Sequence, residues 1–225
     1  MEKTFVIGDI HGCINSLKCL LYDELKITGL DRLIFLGDYI DRGNNSRAVV
    51  NEIIHLRNRG MNVIALRGNH EQMMLGALKF PENYELWKRN GGAKTCKSFM
   101  IQDLAAMPTY YLDFFNSLKF YCEIEGYICV HGGLNFDVEN PFEDHESMIW
   151  MRNTEINLGK TLGRKLIVGH TPMSLDSIRA SLSTDIFSLD GGCVYHNVRR
   201  NLGYLVALEL PEKRLRYVEC SDDNF

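Results

Sequence analysis

The chain has 225 residues, of which 45 % are hydrophobic, 24 % charged and 10 % aromatic. These fractions are those of an ordinary globular protein and exclude collagen-like, coiled-coil and disordered chains. The 25 basic and 29 acidic residues leave a net charge of −4, without the basic excess of a nucleic-acid binder. No apolar run approaches the roughly 20 residues of a membrane helix. The N-terminal segment Met1–Asp9 lacks the basic and apolar stretches of a signal peptide. Neither nucleic acid nor membrane is therefore expected as a partner, and a cytoplasmic location is expected. The seven cysteines are Cys13, Cys19, Cys96, Cys122, Cys129, Cys193 and Cys220. They form no Cys-x-x-Cys pair and are expected to be reduced thiols that act as small buried hydrophobes. No repeat, low-complexity tract or linker interrupts the chain, so residues 1–225 are expected to form a single domain.

The elements follow in order. Thr4–Ile7 predicts a buried strand. Ile14–Leu25 carries apolar residues at helical spacing. Leu33–Leu36 predicts a second strand, Ser46–Arg59 a second helix and Asn62–Leu66 a third strand. Two strand–helix–strand crossovers in series predict parallel strands with helices on their faces. Residues 70–118 read as helices and loops, with helical fragments at Tyr84–Trp87 and Leu104–Met107. Asn90-Gly91-Gly92 reads as a loop or a helix start. Phe120–Ile124 and Tyr127–Val130 flank a Glu-Gly turn and predict a hairpin. Further strands are expected at Leu166–Val168, Ile186–Leu189, Leu205–Leu208 and Arg214–Val218. The expected fold class is α/β, a mixed β-sandwich with a parallel βαβαβ N-terminal half flanked by helices and a largely antiparallel second half. The tail 221–225 carries no readable signal.

Three polar clusters close the first three strands: Gly8-Asp9-Ile10-His11-Gly12, Gly37-Asp38-Tyr39-Ile40-Asp41-Arg42-Gly43 and Gly68-Asn69-His70-Glu71. Asp9 and Asp38 are 29 residues apart, and Asp38 and Asn69 are 31 apart. A βαβ unit takes about thirty residues, so the clusters should recur on one sheet edge, where open α/β sheets bind ligands. Val130-His131-Gly132-Gly133 and Val168-Gly169-His170-Thr171 add a histidine at the end of two later apolar runs. Together the clusters supply Asp9, His11, Asp38, Asn69, His131 and His170. Oxygen and imidazole donors without thiolate suit Mn²⁺, Fe²⁺ or Zn²⁺. Six ligands exceed the need of one ion with an open position. Two ions sharing a carboxylate fit better, at the roughly 3.5–4 Å separation of two-metal hydrolases.

This series of motifs resembles the metallophosphoesterase superfamily, within it the phosphoprotein phosphatase branch, and most of all its compact bacterial and phage-type serine/threonine protein phosphatases. The resemblance runs from about residue 4 to residue 208. It implies the calcineurin-like metallophosphoesterase fold, with Asp9 and His11 on a first metal, Asp38 bridging, and Asn69, His131 and His170 on a second. Mn²⁺ is the expected ion, with Fe or Zn as alternatives. It implies that His70 is the general acid, that Asp41 orients it, and that Arg42 binds the substrate phosphate. Arg152, in Ile149-Trp150-Met151-Arg152, is the candidate for a second phosphate-binding arginine. The implied reaction is direct attack of a dimetal-bridging hydroxide on a phosphoserine or phosphothreonine of a phosphoprotein or phosphopeptide, with phosphotyrosine also accepted. Cys13 is not needed as a nucleophile.

Other residues of these motifs read differently. Arg67 and Glu71 are expected in supporting or structural roles. Asp190 is expected in a strand-end turn near the rim of the site. Asn90-Gly91-Gly92 suits a turn at a helix start as well as an approach to substrate. His55, His145 and His196 have no ligand context. A sister group hydrolyses diadenosine tetraphosphate symmetrically and shares the Gly-Asp-x-His-Gly-Cys start seen at Gly8–Cys13. That group typically carries Ala-Arg-Gly and a third motif ending in Asp, where this chain has Asp41-Arg42-Gly43 and Glu71. A non-catalytic metal- or phosphate-binding protein is a further reading, which the completeness of the ligand set opposes. A nuclease of the superfamily is opposed by the acidic balance and by the Asp-Arg-Gly motif.

Overall fold

The structure is a computed structural model, and it describes residues 2–223; Asn224 and Phe225, the end of the tail read above, lie outside the described residues. Strands β1 (Thr4–Ile7), β2 (Arg32–Phe35) and β3 (Asn62–Ala65) pair in parallel in the order β3-β2-β1. Their connections are helices α1 (Ile14–Lys18), which continues as wider π-type turns over Cys19–Glu24, and α2 (Ser46–Asn58). Strand β8 (Tyr204–Leu210) pairs antiparallel with β1, and β9 (Arg214–Glu219) pairs antiparallel with β8 to complete this five-stranded sheet. The second sheet runs β4 (Tyr121–Ile124), β5 (Tyr127–Val130), β6 (Lys165–Val168) and β7 (Ile186–Ser188).

Alternation along the strands builds the layers. Val6, Ile34 and Leu208 meet Cys129, Ile167 and Phe187 of the second sheet in one apolar core. Phe5, Ile7, Leu33 and Phe35 face the other way, into a core with Leu17, Leu21, Val50 and Ile53 of the helices. The expected sandwich of two sheets with a parallel first half is thus present. In the second half β8 and β9 pair antiparallel as expected, but the second sheet departs from that expectation. β4 and β5 form the hairpin, but β5–β6 and β6–β7 pair in parallel. The reason lies in the connections. The excursion from β5 to β6 contains α7 (His145–Trp150), and α8 (Leu175–Ser181) joins β6 to β7, so each return runs in the same direction.

Between the sheets in sequence lie α3 (Asn69–Lys79), α4 (Tyr84–Trp87), α5 (Ala93–Phe99) and α6 (Thr109–Asn116). Asn90-Gly91-Gly92 is an irregular helical turn between α4 and α5, with Gly91 at φ 113°. Leu104–Ala106 is a short 3₁₀ turn. No helix among the described residues is long and apolar enough to cross a membrane. The last described residues are fastened down. The Asp222 carboxylate accepts the backbone N–H groups of Asn15 and Ser16, both at 2.9 Å, capping α1 with a residue 207 positions away.

Candidate active site

The ends of β1, β2, β3, β5 and β6 converge on one edge, where the two sheets meet. Five residues there, His11, Asp38, Asp41, Arg42 and His170, have φ between 46° and 68°. A non-glycine residue enters this left-handed region at a cost, and such strain gathers at functional sites. Two motif glycines make room for carboxylates. A Cβ on Gly68 would run into Asp38 Oδ1, and one on Gly169 into Asp9 Oδ1.

Two of the histidines, His11 and His131, are oriented by bonds to backbone carbonyls. His11 Nδ1 donates to Ile40 O at 2.8 Å, which leaves the Nε2 lone pair facing Asp38 Oδ2 at 3.4 Å. His131 Nδ1 donates to Leu36 O at 3.0 Å, which leaves Nε2 facing Asn69 Oδ1 at 3.0 Å and Asp38 Oδ1 at 3.5 Å. His170 Nδ1 lies 2.9 Å from the same Asn69 oxygen. The two oxygens of Asp38 therefore face two different donor groups, the arrangement a bridging carboxylate requires. Asp9 is held from the His170 side, its two oxygens accepting the His170 N–H at 3.1 Å.

Two sets of donor atoms lie within 4.8 Å of one another, His11–Asp38–His70 and Asp38–His131–His170. Asp9 stands beside the first set rather than in it. His70 donates from Nδ1 to Asp41 Oδ2 at 2.7 Å, while its Nε2 is buried without a partner. The Nε2 of His170 is likewise buried without a partner. Asp41 is in turn fixed by the Trp87 indole N–H at 2.9 Å and the Thr95 hydroxyl at 2.6 Å. Arg42 brings Nη1 to 2.6 Å from His11 Nε2, and its guanidinium lies over the Tyr195 ring. Trp87, Thr95 and Tyr195 carry no motif that sequence reasoning could have used.

Electrostatics follow from burial. Desolvation, with the Arg42 charge, holds His11 well below its ordinary pKa. Burial does the same for His131, and for His170 it reaches about 3. Burial thus favours the neutral form of these imidazoles, the form that ligates a metal. Burial works against ionisation of Asp38, yet its electrostatic interaction with His131, His70, His11 and Arg42 around it holds its pKa below the carboxylate range. Burial also disfavours protonated His70, but Asp38 and the bond to Asp41 raise its pKa. Asp9 is pushed well up by burial and by Asp190, and Asp190 is pushed up to about 7 by burial first. Asp190 is 3 % exposed, so it lies inside the site against Asp9 and not at its rim. The reason is the end of β7, which packs on β1 so closely that a Cβ at Gly8 would strike Leu189 O.

Burial favours the protonated form of Asp9 and Asp190, and a cation in the site favours their ionised form. Divalent-metal affinity is therefore expected to fall about tenfold per pH unit as pH drops below about 7. The sign is set by the raised carboxylate pKa. Calorimetric titration with Mn²⁺ across pH would check it, and a pH-independent affinity would contradict it.

Glu71 supports the bridging loop. Its Oε1 accepts the N–H groups of Tyr39 at 2.8 Å and Ile40 at 3.3 Å, and its Oε2 those of Asp38 at 2.9 Å and Gly68 at 3.0 Å. Burial and the Asp38 charge push its pKa up to about 8 against these donors. Glu71→Gln puts an amide NH₂ against two backbone N–H groups, whichever way it turns. The expected loss is about 1–3 kcal/mol of stability, measured by urea unfolding. Arg67 is structural, donating to Gln72 Oε1, Phe115 O and Asn116 O. Arg152 stands exposed at the mouth, donating to Trp150 O at 3.4 Å, with its charge felt by His170. His145 stacks on Phe120, His196 approaches Glu219, and His55 lies on α2, all away from the cluster.

A family model described as calcineurin-like phosphoesterase matches residues 3–209. The chain belongs to this family. Among its relatives, serine/threonine-protein phosphatase 1 of Salmonella typhimurium is 41 % identical over 91 residues, 40 % of this chain and 39 % of that protein. A symmetrical bis(5'-nucleosyl)-tetraphosphatase of Pseudomonas fluorescens is 34 % identical over 76 residues, 34 % of this chain and 25 % of that protein. The matched segments thus span well under half of either relative. Solved structures share the fold over nearly the whole chain. A protein serine/threonine phosphatase from Saccharomyces cerevisiae has a TM-score of 0.69 at 19 % identity, covering 98 % of this chain and 81 % of that one. The structure titled a putative diadenosine tetraphosphatase has a TM-score of 0.68 at 20 % identity, covering 96 % and 93 %.

The family's fold implies divalent metal ions, and the residues present fit them. The donors are oxygens and neutral imidazoles, and the His131 Nε2 lone pair faces the Asn69 oxygen, another lone-pair donor. Such a pair is satisfied by a cation between them.

Proposed function

We propose that the chain is a metal-dependent phosphomonoesterase that removes phosphate from phosphoserine and phosphothreonine of proteins, and also accepts phosphotyrosine. Asp9, His11 and Asp38 would hold one divalent cation, and Asp38, Asn69, His131 and His170 a second, with Mn²⁺ the expected ion. When bound, such a pair supplies Lewis acidity, an activated water and positive charge for phosphoryl oxygens. Arg42 orients the phosphate, since a planar guanidinium holds two of its oxygens at once. Arg152 sits at the mouth, within reach of an entering phosphate.

The single observation that carries the protein-phosphatase reading is the His70–Asp41 pair. His70 is bonded to Asp41 at 2.7 Å, its pKa is raised, and its Nε2 is buried without a partner beside His11 and Asp38. On this reading His70 is the acid that gives a leaving oxygen its proton, with Asp41 favouring its protonated form. A serine or threonine alkoxide needs such an acid, whereas a nucleotide leaves as a stable phosphate anion and does not. Asp41, with Trp87 and Thr95 fixed on it, would have no evident task in a dinucleotide hydrolase.

The second reading, a symmetrical diadenosine tetraphosphatase, is favoured by one feature. The groove beside Arg42 is lined by Arg89, Asn90, Lys94 and Tyr195, a basic and aromatic set suited to a nucleotide. The test sets a phosphothreonine peptide against diadenosine tetraphosphate, with metal-stripped chain resupplied with Mn²⁺. Higher kcat/KM on the peptide supports the phosphomonoesterase. Preference for the dinucleotide moves the chain to the second reading, and turnover of neither favours a binding protein.

A further inference from the structure

Cys13, Cys193 and Cys220 bring their sulfur atoms within 4.8 Å of one another. They are 0 %, 2 % and 6 % exposed. They arrive from three distant segments: the turn after His11, the turn after Asp190, and the residue that follows β9. Core packing alone does not call for this, because an isolated buried cysteine serves as a small hydrophobe and gains little from two others. Thiolates that converge in a buried place are the soft donors that select Zn²⁺ or Cu⁺. A zinc–sulfur distance of about 2.3 Å in tetrahedral geometry sets sulfurs about 3.8 Å apart, so these need to close by about 1 Å at most. The Asp222 carbonyl oxygen, 3.9 Å from Cys220 Sγ, is the oxygen at hand for a fourth position. Lys94 carries a positive charge within electrostatic reach of Cys13, which offsets the excess negative charge of three thiolates around one divalent ion.

We propose that Cys13, Cys193 and Cys220 form a second metal site, a three-thiolate site for Zn²⁺, separate from the oxygen and imidazole centre. Binding exchanges the thiol protons for the cation, with no change of oxidation state. Its consequence follows from what the three residues are attached to. Cys13 continues the turn that carries Asp9 and His11, and Cys193 the turn that carries Asp190. Cys220 opens the C-terminal strap, where Ser221 N donates to Ser16 Oγ at 3.1 Å and Asp222 caps α1. A zinc ion there fastens the strap to both loops.

The test uses the full chain, metal-stripped and reduced, titrated with Co²⁺. Cobalt bound to thiolate gives a sulfur-to-metal charge-transfer band in the near ultraviolet, and cobalt bound to carboxylates and imidazoles does not. The expected result is a band that saturates at one thiolate-bound cobalt per chain and is displaced by Zn²⁺. It should be lost in Cys220→Ser and Cys193→Ala, with native circular dichroism, and retained in Cys122→Ser. It should also persist in Asp38→Asn, so its outcome is independent of the phosphoesterase reading. No band in the folded wild-type chain, a band that survives both cluster substitutions, or a disulfide mapped between two of the three cysteines in freshly purified chain would overturn the proposal.

Discussion

Replacing His70 by Asn is expected to lower kcat on a phosphoserine or phosphothreonine peptide by roughly 10²–10⁴-fold, the usual worth of a general acid. The loss on p-nitrophenyl phosphate should be far smaller, because nitrophenolate leaves without a proton. The contrast between the two substrates is the informative quantity. His70 Nδ1 is bound to Asp41, and its Nε2 is the only ring atom left for a leaving oxygen. Asparagine keeps one polar contact to Asp41 but carries no proton to give. The wild-type peptide rate should also fall at high pH, as the raised His70 pKa is passed and the acid is lost. An equal loss on both substrates would reassign His70 to metal binding, where its place among His11 and Asp38 would then belong.

Asp38→Asn is expected to abolish activity on both substrates and to remove both metal-binding events from a calorimetric titration. The two Asp38 oxygens face His11 and His131 separately, at 3.4 and 3.5 Å, so one residue serves both sites. Asparagine supplies one oxygen and no charge. The substitution is conservative for the backbone, since Asp38 has φ 53° and asparagine tolerates the left-handed region better than most residues. The variant should therefore fold, but it should be less stable than the metal-free parent, because the surrounding imidazoles and Arg42 favour the ionised Asp38 carboxylate. Retention of one full-affinity site would show that Asp38 does not bridge.

The candidate ligands were legible because their placement is local. A strand that ends in Gly-Asp or Gly-His puts the polar residue at the sheet edge whatever the rest of the chain does, and a thirty-residue crossover repeats that position. Asp9, His11, Asp38, Asn69, His131 and His170 are brought together on that logic. What the sequence hides is tertiary. Trp87 and Thr95 meet Asp41 only because α4 and α5 fold over the second motif, 46 and 54 residues on. Asp190 reads as a turn residue, yet the approach of β7 to β1 buries it against Asp9. The parallel pairing of β5, β6 and β7 depends on the direction of long connections, and short apolar runs do not encode that direction. Asp222 sits in a tail with no local pattern, and only the docked strap reveals that it caps α1. The cysteines are a like case, unremarkable one by one and convergent in space.

The account rests most directly on a pair of cations sharing Asp38. Crystals of the chain grown with Mn²⁺, measured at the manganese absorption edge, would test it. Two anomalous peaks about 3.5–4 Å apart are predicted, one against Asp9 and His11, the other against Asn69, His131 and His170, with Asp38 between them. A single peak, or peaks away from these side chains, would contradict it.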